Sequence, residues 1–171
     1  MRKIIILSVM LLATSILSFA QTADRKWSVG LHGGSSQYCG DQGHGFYRFD
    51  KGFYGFGGLS VSRYLGRFFD ISLEGNYGGI GYSKSTNSLF HSSLLFTDVT
   101  ARFKFLGNDK HKVSPYLFFG IGYMRFKDKN TDETWNNLGL PSAGIGLAYH
   151  VLPYLSLRFQ EKYIYSNCDK V

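Results

Sequence analysis

The sequence predicts an all-β chain: a small antiparallel up-and-down transmembrane β-barrel of the eight-stranded type, with about seven strands present. Three observations predict it. Apolar and polar residues alternate with period two over runs of about ten residues, the spacing of strand side chains and the length with which a tilted strand crosses a bilayer. These runs are joined by connections that are short and long in strict turn. The composition is 17% aromatic with 21 Gly in 171 residues, and its 18% charge falls below the roughly 25% of an average soluble domain. The same composition argues against disorder, two Cys argue against a disulfide scaffold, and no long apolar run follows the N-terminus to make a membrane helix.

Residues 1–20 read as a secretory signal peptide. Arg2 and Lys3 precede an apolar stretch from Ile4 to Leu17, and Ser18-Phe19-Ala20 sets small residues before a cut at Gln21. A short segment, 21–26, leads into the barrel domain, 27–171. Without Arg2 and Lys3 the chain has 17 Lys+Arg against 12 Asp+Glu, about +5. The cations are scattered, and the chain is expected outside the cytoplasm, so no nucleic-acid partner is read from them.

The strands follow in order. Trp27, Val29 and Leu31 open the first, and Leu59 and Val61 close a second that begins near Phe53. In the third, Phe69, Ile71, Leu73, Gly75 and Tyr77 alternate with Asp70, Ser72, Glu74, Asn76 and Gly78. Leu95, Thr97, Val99, Ala101, Phe103 and Phe105 share one face of the fourth, opposite Asp98, Thr100, Arg102 and Lys104. Leu117, Phe119, Ile121 and Tyr123 mark the fifth. Ala143, Ile145, Leu147 and Tyr149 mark the sixth, and Leu155, Leu157, Phe159 and Tyr163 the seventh, against Ser156, Arg158, Gln160 and Lys162. Residues 65–67, 107–112 and 151–153 are short turns; 38–51, 83–93 and 126–140 are long polar loops. Such regularity fits a meander with all long loops at one end and not a Greek-key sandwich.

Period two leaves open which face meets which solvent. The polar face is Gly, Ser and Thr with a few charges of both signs, whereas a soluble exterior is about a quarter to a third charged. The polar face therefore lines a narrow, packed lumen, with Glu74, Asp98, Arg102 and Arg158 as its candidate charge cluster. Leu73, Val99, Phe103, Phe119, Ile121, Ile145, Leu147 and Leu157 are expected to face lipid. Trp27, Tyr64, Phe68, Tyr116, Tyr149 and Tyr154 are expected in an aromatic girdle at the short-turn end. Tyr77, Tyr82, Tyr123, Trp135, Tyr163 and Tyr165 are expected in another at the long-loop end.

Residues 54–65 and 69–77, with Ser114-Pro115-Tyr116-Leu117-Phe118-Phe119-Gly120-Ile121-Gly122, Ala143-Gly144-Ile145-Gly146-Leu147 and residues 155–160, resemble the outer-membrane β-barrel domain of the OmpA-like family. The resemblance covers nearly all of 27–171 and implies an outer-membrane location in a Gram-negative-type envelope. Short turns then lie in the periplasm and long loops outside. It also implies eight strands, so the closing strand is expected to be missing. The peptidoglycan-binding domain that some members carry is not in this chain.

Other motifs read more simply. Gly55/Gly57, Gly120/Gly122 and Gly144/Gly146 sit in strand patterns with no helix following, so they ease crowding in a narrow barrel instead of cradling nucleotides. His32, His44, His91, His111 and His150 lack metal-ligand spacing. Asp128, Asn130 and Asp132 mimic half a calcium loop, but Glu133 stands where Gly is required. Cys39 and Cys168, both near the long-loop end, are the candidate disulfide. Two rivals remain: a lipid-modifying enzyme, for which His91 with Ser92 or Ser93 is the local candidate, and a soluble lipocalin-like carrier, which requires an apolar lumen. The expectation is a non-enzymatic barrel with a structural, envelope-integrity and surface-loop role. Outer-membrane lipid is its partner, no cofactor or metal is expected, and any external ligand or adhesion partner is left open.

Overall fold

The computed structural model describes residues 5–9, 17–18, 26–36, 54–83, 89–106, 111–128, 134–152 and 155–166. They form two short strands, β1 (Ile5–Val9) and β2 (Leu17–Ser18), and seven long ones. The long strands are β3 (Trp27–Ser36), β4 (Tyr54–Tyr64), β5 (Phe69–Ser83), β6 (Leu89–Lys104), β7 (Val113–Asp128), β8 (Thr134–Leu152) and β9 (Leu155–Ser166). Each long strand pairs antiparallel with the next, so β3 to β9 make one up-and-down sheet.

The seam between the first and last long strands is bridged. Residues 5–9 pair antiparallel with β9, Ile5 opposite Ser166 and Val9 opposite Lys162. Leu17 and Ser18 pair with Leu31 and Gly30 of β3, and Ser18 also meets Ser156 of β9. Part of the N-terminal apolar segment thus occupies the place where the sequence leads one to expect a missing closing strand.

The strands outrun their expected bounds. Parts of 83–93 and 126–140, expected as loop, are ladder instead: Ser92 opposes Asp128 and Lys127 opposes Thr134. Backbone pairing does not require an apolar side chain, so the ladder runs past the apolar band into polar sequence. The long excursion also accommodates a bulge in β8. Register slips opposite Gly122/Tyr123, where Gly139 takes φ +76°, a left-handed conformation that suits Gly.

Side-chain direction identifies the solvents. Leu73 is 56% exposed and Phe119 62%, whereas Glu74 and Arg102 are 3% exposed each. Val99, Phe103, Ile121, Ile145 and Leu147 are exposed too, and Leu157 is partly so. The oily face is the outer face. An apolar cup, as a soluble carrier requires, is not what the lumen provides.

The lumen departs from expectation in one respect. It holds large apolar side chains beside the small and charged ones: Leu94, Phe96, Met124, Phe126, Leu140 and Ile164 are buried on the long-loop side of Asp98. Rings need room, and inward glycines on the neighbouring strand supply it. A Cβ at Gly144 would collide with the Phe118 ring and the Glu161 carbonyl, and one at Gly146 with the Tyr116 ring. The crowding account fails for Gly55 and Gly57, which face outward with at most one distant contact.

Replacing Gly144 with Val is expected to cost about 1–3 kcal/mol, the usual range for overpacking. A lower urea midpoint for the refolded protein checks this, with Gly55→Val as the neutral comparison.

Candidate functional site

The lumenal site begins with an electrostatic problem set by register. Glu74 of β5 and Asp98 of β6 are direct cross-strand partners with the same inward parity, and like charges placed so repel. The solution comes from β9. Lys162 Nζ donates to Glu74 Oε2 at 2.7 Å and to Asp98 Oδ2 and Oδ1 at 2.8 and 3.1 Å. The partners lie 88 and 64 residues away in the chain. One ammonium therefore ties together two walls of the barrel.

A second cation completes the cluster. Arg102, opposite Asp70 in the ladder, reaches diagonally to Glu74 Oε1 at 3.0 Å and Ser72 Oγ at 2.6 Å. Gln160 Nε2 donates to Glu74 Oε2 at 3.4 Å, Ser142 Oγ to Asp98 Oδ2 at 3.2 Å, and Tyr116 OH to Gln160 Oε1 at 3.1 Å. Nearer the short turns, Lys104 Nζ donates to Asp70 Oδ1 at 2.8 Å. Rings enclose the ammonium groups: Lys162 Nζ lies 5.6 and 5.5 Å from the Phe96 and Phe118 centroids, and Lys104 Nζ 4.8 Å from that of Tyr64. Such cation–π contacts strengthen when water is excluded.

Of the four residues read from sequence as a cluster, Glu74, Asp98 and Arg102 meet through these bonds. Arg158 lies on the same inward row, with Arg102, Asp70 and Glu74 as charged neighbours. Lys162, at the centre, was outside that set, although its even number on β9 placed it on the polar face. Two girdle expectations are corrected. Tyr116 and Tyr64 have inward parity and take part in the lumen, Tyr116 against Gln160 and Tyr64 against Lys104. Trp27, Phe68, Tyr149, Tyr77, Tyr163 and Tyr165 are exposed on the outside, and Tyr123 OH donates to Asn136 Oδ1 at 2.7 Å.

Several readings fall beyond what is described. Cys39, Cys168, His44, Asn130, Asp132, Glu133 and Tyr154 lie outside the described residues, as do the side chains of His91, Tyr82, Trp135 and Asp128. Ser92 is buried, and Ser93, next in the strand, is partly exposed. Among the described residues no three His, Cys, Asp or Glu converge as metal ligands. His32 Nε2 instead lies 2.6 Å from Asn76 Oδ1.

Removing one partner of a buried ion pair costs about 3–5 kcal/mol, because the other charge is left uncompensated. Lys162→Met, which among the described residues leaves Asp98 without a cation and Glu74 with Arg102 alone, is expected to lower the urea midpoint more than Arg102→Met, which leaves both carboxylates on Lys162. Adding Asp98→Asn to Lys162→Met is expected to restore part of the loss, because among the described residues Asp98 has no other cation whereas Glu74 keeps Arg102. Equal midpoints for Lys162→Met and the unsubstituted protein would remove the cluster from any account of stability.

These features, an oily exterior and a charged, filled lumen, agree with what the chain is similar to. Neither a curated protein nor a solved structure matches it. The family described as outer membrane protein beta-barrel domain matches residues 4–169, almost the whole sequence. The OmpA-like resemblance of the strands is a description at the level of this family. The chain belongs to the outer membrane protein β-barrel domain family.

Proposed function

We propose that this barrel is a structural, non-enzymatic component of the outer membrane, which stabilises the envelope and displays its long loops outside, with the short turns in the periplasm. The observation that carries this reading is the filled lumen. The ion network of Glu74, Asp98, Arg102 and Lys162 occupies its middle, and Phe96, Met124 and Ile164 pack above it. Two depressions, of about 400 and 490 Å³, are lined mostly by residues of the outer wall. A filled lumen lets a barrel anchor loops in a membrane without making a leak. Reconstituted in planar bilayers, the protein is expected to show no sustained porin-scale conductance; a steady open pore would overturn the reading.

The membrane term has its own test. Phe119 lies mid-strand on the outer face. Phe119→Arg is expected to cost about 2–4 kcal/mol if that face meets hydrocarbon, and almost nothing if it meets water. Reduced folding into phospholipid vesicles, read by heat-modifiable gel migration, supports the membrane term.

We further propose that residues 1–20 are an export signal removed after Ala20, from the basic start, the apolar stretch and the Ser18-Phe19-Ala20 sequence. Removal would free the facing edges of β3 and β9. Unpaired backbone groups in hydrocarbon cost several kcal/mol each, so another strand must then take the place held by residues 5–9 and 17–18. The intact mass of the protein extracted from outer membranes tests this. A chain starting at Gln21 is expected; one that retains residues 1–20 makes them the closing strand and overturns their removal after Ala20.

A further inference from the structure

The corner where β3 meets β4 and β4 turns into β5 carries three exposed cations: Lys26 beside Trp27, Arg63 opposite Trp27, and Arg67 in the turn. Trp27 and Arg63 are direct cross-strand partners on the outer face, and the Arg63 Cζ lies 5.3 Å from the Trp27 ring centroid. The Arg67 Cζ lies 5.4 Å from that of Phe68. The backbone holds this corner firmly. Tyr64 N–H donates to Lys26 C=O at 2.7 Å, Leu65 and Gly66 N–H donate to Phe69 C=O at 3.1 and 3.0 Å, and Phe69 N–H returns to Gly66 C=O at 3.2 Å. Phe68 and Phe69 pack in turn on Phe103.

Among the described residues this corner carries no exposed acid; Asp70 faces the lumen and holds Lys104. The patch is also continuous with the oily wall, since Leu59, Val61 and Arg63 share one outward row. An Arg laid on a ring keeps its planar N–H edge turned outward, and that edge matches the paired oxygens of a phosphodiester. Trp prefers the depth of the headgroups.

We propose that this corner is a binding site for the phosphate of an anionic phospholipid in the leaflet that meets the short turns, its acyl chains lying along the outward apolar row. The proposal rests on the membrane reading above. Arg63 and Arg67 grip the phosphate, Lys26 adds charge, and the rings of Trp27 and Phe68 hold the guanidinium groups at headgroup depth. The site gives one edge of the cylinder a preferred lipid and fixes its height in the bilayer.

The test uses the full chain with Trp135→Phe, leaving Trp27 as the sole Trp, refolded into phosphatidylcholine vesicles. Brominated phosphatidylglycerol is expected to quench Trp27 with an apparent association on the order of fivefold above brominated phosphatidylcholine at low salt. Arg63→Gln with Arg67→Gln brings the ratio to about one, whereas Arg125→Gln, at the opposite end, leaves it unchanged. Equal quenching by the two lipids in inserted protein overturns the site and spares the membrane reading; failure to insert into any vesicle overturns both. Soluble glycerol phosphate at millimolar concentration is expected to leave the preference intact, and its loss there would assign a site for free anions and overturn the lipid one.

Discussion

A sheet with its oily face in hydrocarbon must satisfy every polar group without help from that side. Backbone groups are satisfied along the ladder, which is why neighbouring strands pair in long runs and why the seam between β3 and β9 demands a strand. Polar side chains are driven into a lumen a few side chains wide, where each charge must find its complement. Lys162 answers that demand for two carboxylates at once. The other features of the interior are arranged around it.

Those arrangements divide the lumen by height. In the middle, ionic and hydroxyl groups bond across the barrel, and their geometry binds strands distant in sequence. Toward the long loops, Phe96, Met124 and Ile164 fill the space that charge leaves. Glycines at inward positions of β8 leave room for the rings of Phe118 and Tyr116 on the neighbouring β7, so large side chains fit into a narrow lumen. The wall is thus stapled from inside by bonds between strands far apart in the chain.

The outside has its own division. The central band is aliphatic and Phe-rich, and the rims carry rings with polar tips or with a guanidinium upon them. The short-turn rim departs from a plain aromatic girdle. Tyr64 and Tyr116 turn inward to serve Lys104 and Gln160, and the outward role at that end passes to Trp27 and Phe68 with their basic companions. Sequence position near a strand end was a guide to height but not to direction.

Much of this was legible from residue order, for a simple reason: side-chain parity along a strand is local. Period two assigned Leu73, Phe103, Phe119 and Ile145 to one face and Glu74, Asp98 and Arg102 to the other. The shortage of charge on the polar face told which one met lipid, and alternating loop lengths gave the meander. What parity cannot supply is reach across the lumen, because that depends on register and closure together. The pairing of Glu74 with Asp98 follows from the β5–β6 register, and the ammonium that reconciles them arrives from β9, far along the chain. Parity likewise marks Phe96 and Met124 as inward, but only the β6–β7 register sets them opposite one another. Faces and topology were set by nearest-neighbour rules; the partners of Lys162 were chosen by the curvature that brings opposite walls within hydrogen-bonding distance.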